Sequence, residues 1–189
     1  MLMQTPRLLI RNFKETDLAS FVAYRNDTEV AKYQSWKVPY TQEMGSRFIQ
    51  QMKDMNAPKQ GSWMQVALAL KESDELIGDL GFFINQTDIR QATIGFSIAR
   101  AQWRKGFATE AILQVLNYLF FDIDLHRVVA DCDVENIASY RTLEKMGFRR
   151  EAHFIESFLA NEVYQSEYHY GMLQREWCEK KQGDNARFG

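Results

Sequence analysis

The segment QWRKGFATEA, residues 102–111, contains residue types suited to holding an anion. Arg104 and Lys105 carry positive charge, and Gly106 lets the backbone approach a bulky ligand closely. The helix predicted from about Ala108 begins with amides that have no partner inside the helix, and its dipole attracts negative charge. The segment therefore predicts a phosphate-binding turn between a strand and a helix. The alternative interpretation is a surface turn with solvated cations and a structural glycine.

A second polar cluster, NIASYRTLEKMGF at residues 136–148, follows a predicted strand. Asn136 is a favoured residue before the first turn of a helix, and Gly147 favours the left-handed conformation that ends one. Arg141 and Lys145 are four residues apart and share one face of the predicted helix. That face either meets a phosphate or is simply solvated.

The sequence lacks two widespread phosphate-binding motifs, because neither G-x-x-x-x-G-K-[ST] nor G-x-G-x-x-G occurs in it. The elements that must position the two clusters follow from hydrophobic periodicity, which predicts seven strands and four helices in the order β-α-α-β-β-β-α-β-α-β-β. Hairpins alternate with strand–helix–strand crossovers, so we expect a mixed sheet with helices on both faces.

The composition is that of a globular protein, with 46% hydrophobic and 25% charged residues in a chain of 189. A net charge of −2 argues against a general nucleic-acid-binding protein. Cys132 and Cys178 match no metal-binding spacing and favour a reducing compartment. No apolar run approaches the roughly 20 residues needed to span a bilayer, and the N-terminus does not read as a signal peptide. We expect a cytoplasmic protein without nucleic-acid or membrane partners, with one domain over 1–175 and a polar tail over 176–189 that frays.

Together, these motifs resemble those of the GNAT superfamily of acyl-CoA N-acetyltransferases. The acyl-CoA signature of that family, Arg/Gln-x-x-Gly-x-Gly/Ala, has its counterpart in WRKGFA at 103–108. Its Asn-x-x-Ser and Glu-Lys-x-Gly-Phe motifs have theirs at 136–139 and 144–148. The opening TPRLLIRNFKETDL and the LIGDLGF hairpin also resemble the branch that contains the RimJ/RimL ribosomal-protein N-terminal acetyltransferases.

The resemblance covers about residues 5–173 and implies an α+β (α/β) GNAT fold. Such a fold has a mixed central sheet of about seven strands, helices on both faces, and splayed fourth and fifth strands. It also implies acetyl-CoA (coenzyme A) as the cofactor, with its pantetheine arm lying between the two splayed strands. The implied reaction is direct attack by a neutral amine on the thioester.

The resemblance assigns cofactor-binding roles to residues of both clusters. Backbone groups of Ile98 and Ala99 would bond to the pantetheine and the acetyl carbonyl, Asn136 to the pantetheine arm, and Arg141 to the nucleotide phosphate. The pyrophosphate would be held by the amides of six consecutive residues, Arg104, Lys105, Gly106, Phe107, Ala108 and Thr109. Arg104 stands where the family usually has a glycine, so its side chain must point outward.

The implied catalytic groups are Ser139 and Glu156. Ser139 would sit near the thioester sulfur and supply a proton to the thiolate, because Leu143 stands where many relatives place a tyrosine. Thr93 stands where relatives often carry a glutamate base. The remaining candidates for the base are Glu156, His153 and Asp79, and Glu156 leads because a carboxylate recurs there in the branch.

The acceptor is expected to be an amine of low pKa. An α-amine has a pKa of about 7.7–8.0 against about 10.4 for lysine, so a weak base suffices to deprotonate it. Tyr33, Trp36 and Tyr164 are candidate walls of the acceptor site, as is Tyr40, and core packing is the alternative interpretation of each of them. Asp27 and Glu29 are candidates for attracting a cationic amine, or are ordinary surface charges.

The sequence thus predicts an acetyl-CoA-dependent N-acetyltransferase without a metal, acting most readily on a protein N-terminus. The alternatives are an acetyltransferase for an antibiotic or polyamine, and a non-catalytic acyl-CoA-binding protein. The sequence is also compatible with a homodimer.

Overall fold

The computed structural model describes residues 2–55, 57–160 and 162–188. In that part of the chain, eight strands form one sheet in the order β1-β2-β3-β4-β5-β6-β8-β7. In chain order these strands are β1 Leu2–Gln4, β2 Leu8–Arg11, β3 Trp63–Leu70, β4 Leu76–Ile84, β5 Gln91–Ile98, β6 Arg127–Asp133, β7 Arg149–Ala160 and β8 Val163–Leu173. All neighbouring strands are antiparallel except β5 and β6, so the sheet is mixed as predicted.

The sheet has one strand more than the sequence predicts, because β1 precedes the first predicted strand, TPRLLIRNF at residues 5–13, which corresponds to β2. A turn at Thr5 separates β1 from β2. The amide of Thr5 donates to the Leu8 carbonyl at 3.0 Å, and the amide of Leu8 donates to the Thr5 hydroxyl at 2.8 Å. These bonds fold the chain back on itself, so β1 and β2 pair as a hairpin.

Helices cover both faces of the sheet, as predicted. They are α1 Leu18–Arg25, α2 Thr28–Ala31, α3 Gln42–Lys53, α4 Phe107–Asn117, α5 Ile137–Met146 and α6 Gln174–Phe188, with a π-helical turn at Tyr118–Asp122 continuing α4. The buried side chains of α4, α5 and α6 share one hydrophobic cluster with alternate residues of the strands. Those of α1 and α3 form a second cluster on the other face.

Local capping signals place two helix ends correctly. Thr41 is of a residue type favoured just before a helix, and its hydroxyl accepts from the Met44 amide at 3.2 Å at the start of α3. Gly147 ends α5 with a φ of 94°, in the left-handed region. The single-turn helix α2 has too few residues for a periodic pattern and is not predicted from the sequence.

The end of the chain differs from the predicted polar tail that frays. Residues 174–188 form α6, and the Trp177 side chain is fully buried. Its indole N–H donates to the Asn117 side chain at 3.1 Å, which ties α6 to the end of α4. One buried aromatic residue thus anchors a segment whose composition is otherwise polar.

The strands β5 and β6 part from one another, as the resemblance implies for the fourth and fifth predicted strands. They pair only at three positions, Gln91 with Arg127, Ala92 with Val128 and Thr93 with Val129. Beyond Thr93, β5 pairs only with β4, and beyond Val129, β6 pairs only with β8. A wedge-shaped gap therefore opens toward the C-terminal ends of both strands.

Candidate active site

A turn precedes α4 at the position between a strand and a helix where the sequence predicts one. Gly106 precedes the helix with a φ of 83°, and Arg104 has a φ of 62°, so both occupy the left-handed region. The first helical bond runs from the Glu110 amide to the Gly106 carbonyl at 3.0 Å, so the amides that precede Glu110 start the helix without helical acceptors. The side chains of Arg104 and Lys105 are exposed. This turn can hold an anion through its amides and its two cations.

Arg7, near the N-terminus, makes contacts that stabilise this turn. The Arg7 guanidinium pairs with Glu110 at 2.6 Å, donates to the Lys105 carbonyl at 2.9 Å, and lies 4.5 Å from the Phe107 ring centroid. The Thr5 hydroxyl also donates to Glu110. Against the effect of burial, these hydrogen bonds hold the pKa of Glu110 below its usual range. Arg7 and Glu110 are 103 residues apart, so no local pattern in the sequence predicts the pair.

The end of β5 is held by its own neighbours. The Trp103 indole N–H donates to the Ile98 carbonyl at 2.6 Å, and the Ala99 amide donates to the Ile77 carbonyl at 2.7 Å. Two of the backbone groups predicted to meet the pantetheine therefore already have protein partners. The Ile98 carbonyl keeps a second lone pair for a further hydrogen bond.

The start of α5 brings Asn136 and Ser139 to the gap from the side of the sheet that α4 and α5 cover. The Asn136 side-chain carbonyl accepts from the Ser139 amide at 3.2 Å and so caps the helix, which leaves its NH₂ group for a ligand. Ser139 also lies beside the Cys132 thiol of β6. Burial raises the pKa of Cys132 to about 11, against a smaller lowering by its hydrogen bond with Ser139. The thiol is therefore neutral at physiological pH.

The second cationic pair lies on the exposed side of the same helix. Arg141 and Lys145 are both exposed, one turn apart on α5. Leu143, between them, is buried in the hydrophobic core, so it has no role in proton transfer.

The other face of the gap carries polar residues on β5, β6 and β8. Alternation along the strands turns Thr93, Gly95, Asp131 and His169 away from the core cluster that α4 and α5 cover. A Cβ added at Gly95 would meet nothing within 4 Å, so space is open directly above the sheet there. The imidazole of His169 lies 2.6 Å from the Glu167 carboxylate on the same strand.

The predicted acceptor walls separate in the structure. Trp36 lies over the guanidinium of Arg25 at 4.1 Å and donates its indole N–H to the Arg25 carbonyl at 3.0 Å. Tyr33 donates its hydroxyl to the Glu135 carbonyl at 3.2 Å, and so reaches across to the residue before Asn136. Tyr164 is 64% exposed near the tip of the β7–β8 hairpin, five residues or about 17 Å along β8 from His169.

The other aromatic and acidic acceptor candidates have structural partners. Tyr40 is buried, with the Arg25 guanidinium 5.0 Å from the centroid of the Tyr40 ring, and burial raises the pKa of the Tyr40 hydroxyl. The Asp27 carboxylate caps α2 by accepting from the Glu29 amide at 2.9 Å, and Glu29 itself is exposed.

The three candidate bases differ sharply in setting. Asp79 is buried and accepts from Gln65 at 2.9 Å and from the Tyr24 hydroxyl, with Arg25 3.6 Å away. Burial and the Asp79 carboxylate raise the pKa of Tyr24. Glu156 is exposed on a bulge of the edge strand β7, with a φ of 48° and its amide donating to Ser166 at 2.9 Å. His153, also on β7, is exposed and has its ring 4.9 Å from that of Tyr168.

Comparison with known families decides what this arrangement is. Residues 7–149 match the family described as acetyltransferase (GNAT) domain. The chain belongs to the GNAT acetyltransferases. Enzymes of this family are acetyl-CoA-dependent N-acetyltransferases, and their second substrate is an amine.

Similar proteins span nearly the whole GNAT chain. An uncharacterized N-acetyltransferase, YnaD of Bacillus subtilis, is 35% identical over 173 residues, which cover 92% of this chain and 97% of the relative. The crystal structure of a GNAT-family acetyltransferase from Bacillus anthracis is 29% identical, with a TM-score of 0.81, and the match covers 93% and 99% of the two chains. The spermidine N(1)-acetyltransferase of Vibrio cholerae is 31% identical over 93 residues, about half of each chain.

The residues at the gap fit the acetyl-CoA that GNAT enzymes use. The turn at Gly106 offers unpaired amides and two cations for a pyrophosphate, and the parted strands leave room for an extended arm. Within the described ranges, no cluster of three or more histidine, cysteine or acidic side chains has the geometry to hold a metal ion. No described helix is long and apolar enough to cross a membrane.

Proposed function

We propose that this protein transfers the acetyl group of acetyl-CoA to a primary amine, and that the amine is the α-amine of a protein N-terminus. The observation that carries the proposal is the gap between β5 and β6, which opens beside the left-handed turn at Gly106. The gap joins an anion-binding turn to a polar face of the sheet, so one ligand can reach both. The narrower likeness to the RimJ/RimL branch supports the choice of an α-amine.

The proposed acetyl-CoA site uses backbone more than side chains. Amides of residues 104–109 hold the pyrophosphate, backbone groups of Ile98 and Ala99 meet the pantetheine and the acetyl carbonyl, and Asn136 supplies its NH₂ group to the pantetheine. Arg141 approaches the nucleotide phosphate from α5. The bound donor supplies an activated acetyl thioester, while the protein supplies position and the donors that stabilise the oxyanion.

The proposed proton donor to the leaving sulfur is Ser139. Its place in the first turn of α5, beside Cys132 and next to the gap, supports this role. Transfer is direct, in a complex that holds both substrates. Glu156 stays a candidate base from the sequence.

The proposed acceptor site lies on the sheet face that carries Gly95, between the loop with Tyr33 and Trp36 and the hairpin with Tyr164. Exposed apolar side chains on β7, among them Phe154 and Ile155, border this face and suit an extended peptide. A polyamine is the second candidate. The carboxylates of this face and the spermidine-acetylating relative favour it.

A cytoplasmic location and a homodimer belong to the same proposal. Cys132 and Cys178 are both free thiols, which supports a reducing compartment. The exposed apolar residues of β7 lie on an edge strand, where a second copy of the chain has room to pair.

Calorimetric titration with acetyl-CoA, and with ATP as comparison, tests the donor site. We expect micromolar binding of acetyl-CoA, much weaker binding of ATP, and loss of binding in Gly106→Val, because the new side chain strains the turn and crowds the pyrophosphate. Gly183→Val on α6 is the matched control, since a Cβ there meets nothing within 4 Å. Unchanged affinity in Gly106→Val would remove the turn from the site.

A panel of amines tests the acceptor. The panel contains peptides with a free N-terminus, the same peptides with a blocked N-terminus and one lysine, spermidine, and an aminoglycoside. We expect the highest kcat/KM for free N-termini. A tenfold preference for lysine side chains contradicts the α-amine proposal, and a preference for spermidine selects the second candidate.

A further inference from the structure

The open sheet face beside the gap forms what we call the acceptor trough. Its floor consists of Thr93 and Gly95 on β5, Val129 and Asp131 on β6, and His169 on β8. On this face α1 packs over β4 and α3 over β3, whereas nothing lies within 4 Å above Gly95. Asp131 lies two residues beyond Val129, the last β6 residue paired with β5, and is therefore at the mouth of the gap.

Successive side chains of β6 point to opposite faces of the sheet, so the two faces of the gap carry different functional groups at this mouth. Cys132 points into the core and contacts Ser139, the proposed proton donor to sulfur. Asp131, one residue earlier, points to the opposite face and into the trough. A leaving thiolate and an incoming amine need separate proton partners on opposite sides of the acetyl carbon. Ser139, which lies beside Cys132, can serve the thiolate, and Asp131 can serve the amine.

The charged neighbours of Asp131 set its proton affinity. Solvent reaches its carboxyl group, yet protein atoms surround it on several sides, and this burial raises its pKa above the usual value for an aspartate. The Glu167 carboxylate raises that pKa further, and His169, opposite Asp131 in the β6–β8 pairing, lowers it. A carboxyl group with a raised pKa is better suited to accept a proton near neutral pH.

We propose that Asp131 is the catalytic base of the transfer and that the Glu167–His169 pair passes its proton on to solvent; this inference rests on the proposed acetyltransferase function. The acceptor enters as an ammonium ion and gives one proton to Asp131. Its nitrogen then forms the C–N bond while the C–S bond breaks, and the electron pair of that bond goes to sulfur. The second nitrogen proton ends on the sulfur by way of Ser139, so the products are an amide and a thiol.

The other candidate bases lie in less suitable places. Asp79 has its oxygens engaged by Tyr24 and Gln65 beneath α1. Glu156 is on β7, two strands or about 10 Å from β6, and projects from a bulge at the edge of the sheet. Asp131 is the carboxylate at the mouth of the gap on the face that the amine approaches.

Asp131→Asn tests the proposal, with the exposed Asp122→Asn, in the π-helical turn that follows α4, as a matched control. We expect Asp131→Asn to lower kcat/KM for the best amine of the panel by about 100-fold or more, the size typical of a lost general base. The acidic limb of the pH profile of kcat/KM should lose the step that belongs to Asp131. The dissociation constant of acetyl-CoA and the melting temperature should stay unchanged in both variants.

A second readout does not depend on turnover. In protein labelled with ¹³C-aspartate, the carboxyl resonance missing from Asp131→Asn identifies Asp131, and its titration gives the pKa directly. Glu167→Gln removes a neighbouring negative charge, so the Asp131 proton is held less tightly. Both the NMR titration and the acidic limb of kcat/KM should therefore move to lower pH in that variant, by the same amount.

Three results would overturn the assignment. Asp131→Asn could keep kcat/KM within threefold of the wild type, Glu156→Gln could remove the acidic limb instead, or Glu167→Gln could move the Asp131 resonance without moving the limb. A wild-type protein that binds acetyl-CoA but acetylates no amine of the panel contradicts the proposed function itself, and the role of Asp131 as a base falls with it.

Discussion

Replacing Arg7 by alanine should loosen the turn that precedes α4. The guanidinium makes an ion pair with Glu110 in which the two side chains are 48% and 14% exposed, a hydrogen bond to the Lys105 carbonyl, and a ring contact with Phe107. Exposed ion pairs contribute about 0.2–1 kcal/mol, a hydrogen bond about 1, and an exposed cation–π contact about 0.5–1. Since neighbouring contacts do not add fully, we expect a loss of about 2 kcal/mol.

The loss has two measurable consequences. For a chain of this size, about 2 kcal/mol lowers the melting temperature by about 4–8 °C. The affinity for acetyl-CoA should also fall about tenfold, equivalent to about 1.4 kcal/mol. The reason is that the Lys105 carbonyl is released and the Glu110 carboxylate loses its nearest cation beside the pyrophosphate turn. Thermal melting and calorimetric titration measure the two effects separately.

A double variant and a control variant test whether the effect of Arg7 comes from its contacts at the turn. Arg7→Ala combined with Glu110→Gln should recover part of the affinity, because the unpaired carboxylate is gone. Arg47→Ala on α3 removes an ion pair with Glu43 in which both side chains are 75% exposed, and should change neither quantity. If Arg7→Ala lowers the melting temperature while acetyl-CoA affinity stays within twofold, the arginine supports the fold and does not shape the turn.

Three further variants probe the site and the fold. Arg104→Gly should raise stability by about 1 kcal/mol in chemical denaturation, because it relieves a left-handed residue with a φ of 62°. Equal or lower stability would show that the arginine side chain compensates for the strain. Ser139→Ala should lower kcat more than acetyl-CoA affinity, and a fall in affinity alone would end its role as proton donor. Arginine partners, above all Arg127, lower the pKa of Glu151 to about 2. The stability that this carboxylate contributes is present above its unfolded pKa and is lost as pH falls toward 2. Glu151→Gln should therefore lower the free energy of unfolding at pH 7 and hardly change it at pH 2. An equal effect at both pH values would contradict the charge argument.

Sequence reasoning succeeds here where the determining interactions are local. The caps at Thr41 and Gly147 and the turn at Gly106 each depend on a few consecutive residues, and each lies where the residue type favours it. The hairpin of β3 and β4 is likewise bounded by a polar turn. The resemblance adds the parting of β5 and β6, which no local pattern of either strand contains.

The roles of residues that depend on contacts with distant parts of the sequence cannot be predicted in this way. Asp131 becomes a candidate base only when the pairing of β6 with β5 and β8 fixes which way it points. Arg7 reaches the turn before α4 from the segment between β1 and β2, and Trp177 anchors α6 in the core. In the same way, the sequence leaves open whether Trp36 borders an acceptor site or packs in the core, and in the structure it packs on the buried Arg25 cation.

The hydrogen bond from Tyr33 to the Glu135 carbonyl has a consequence for how the two substrates influence each other. It joins the loop that borders the proposed acceptor site to the residue that precedes Asn136 in the proposed acetyl-CoA site. In that proposal, a donor that fixes Asn136 also restrains the loop against which the amine packs. Coupling of this kind is reciprocal in free energy, so whatever factor the donor adds to the affinity for the amine, the amine must add to the affinity for the donor.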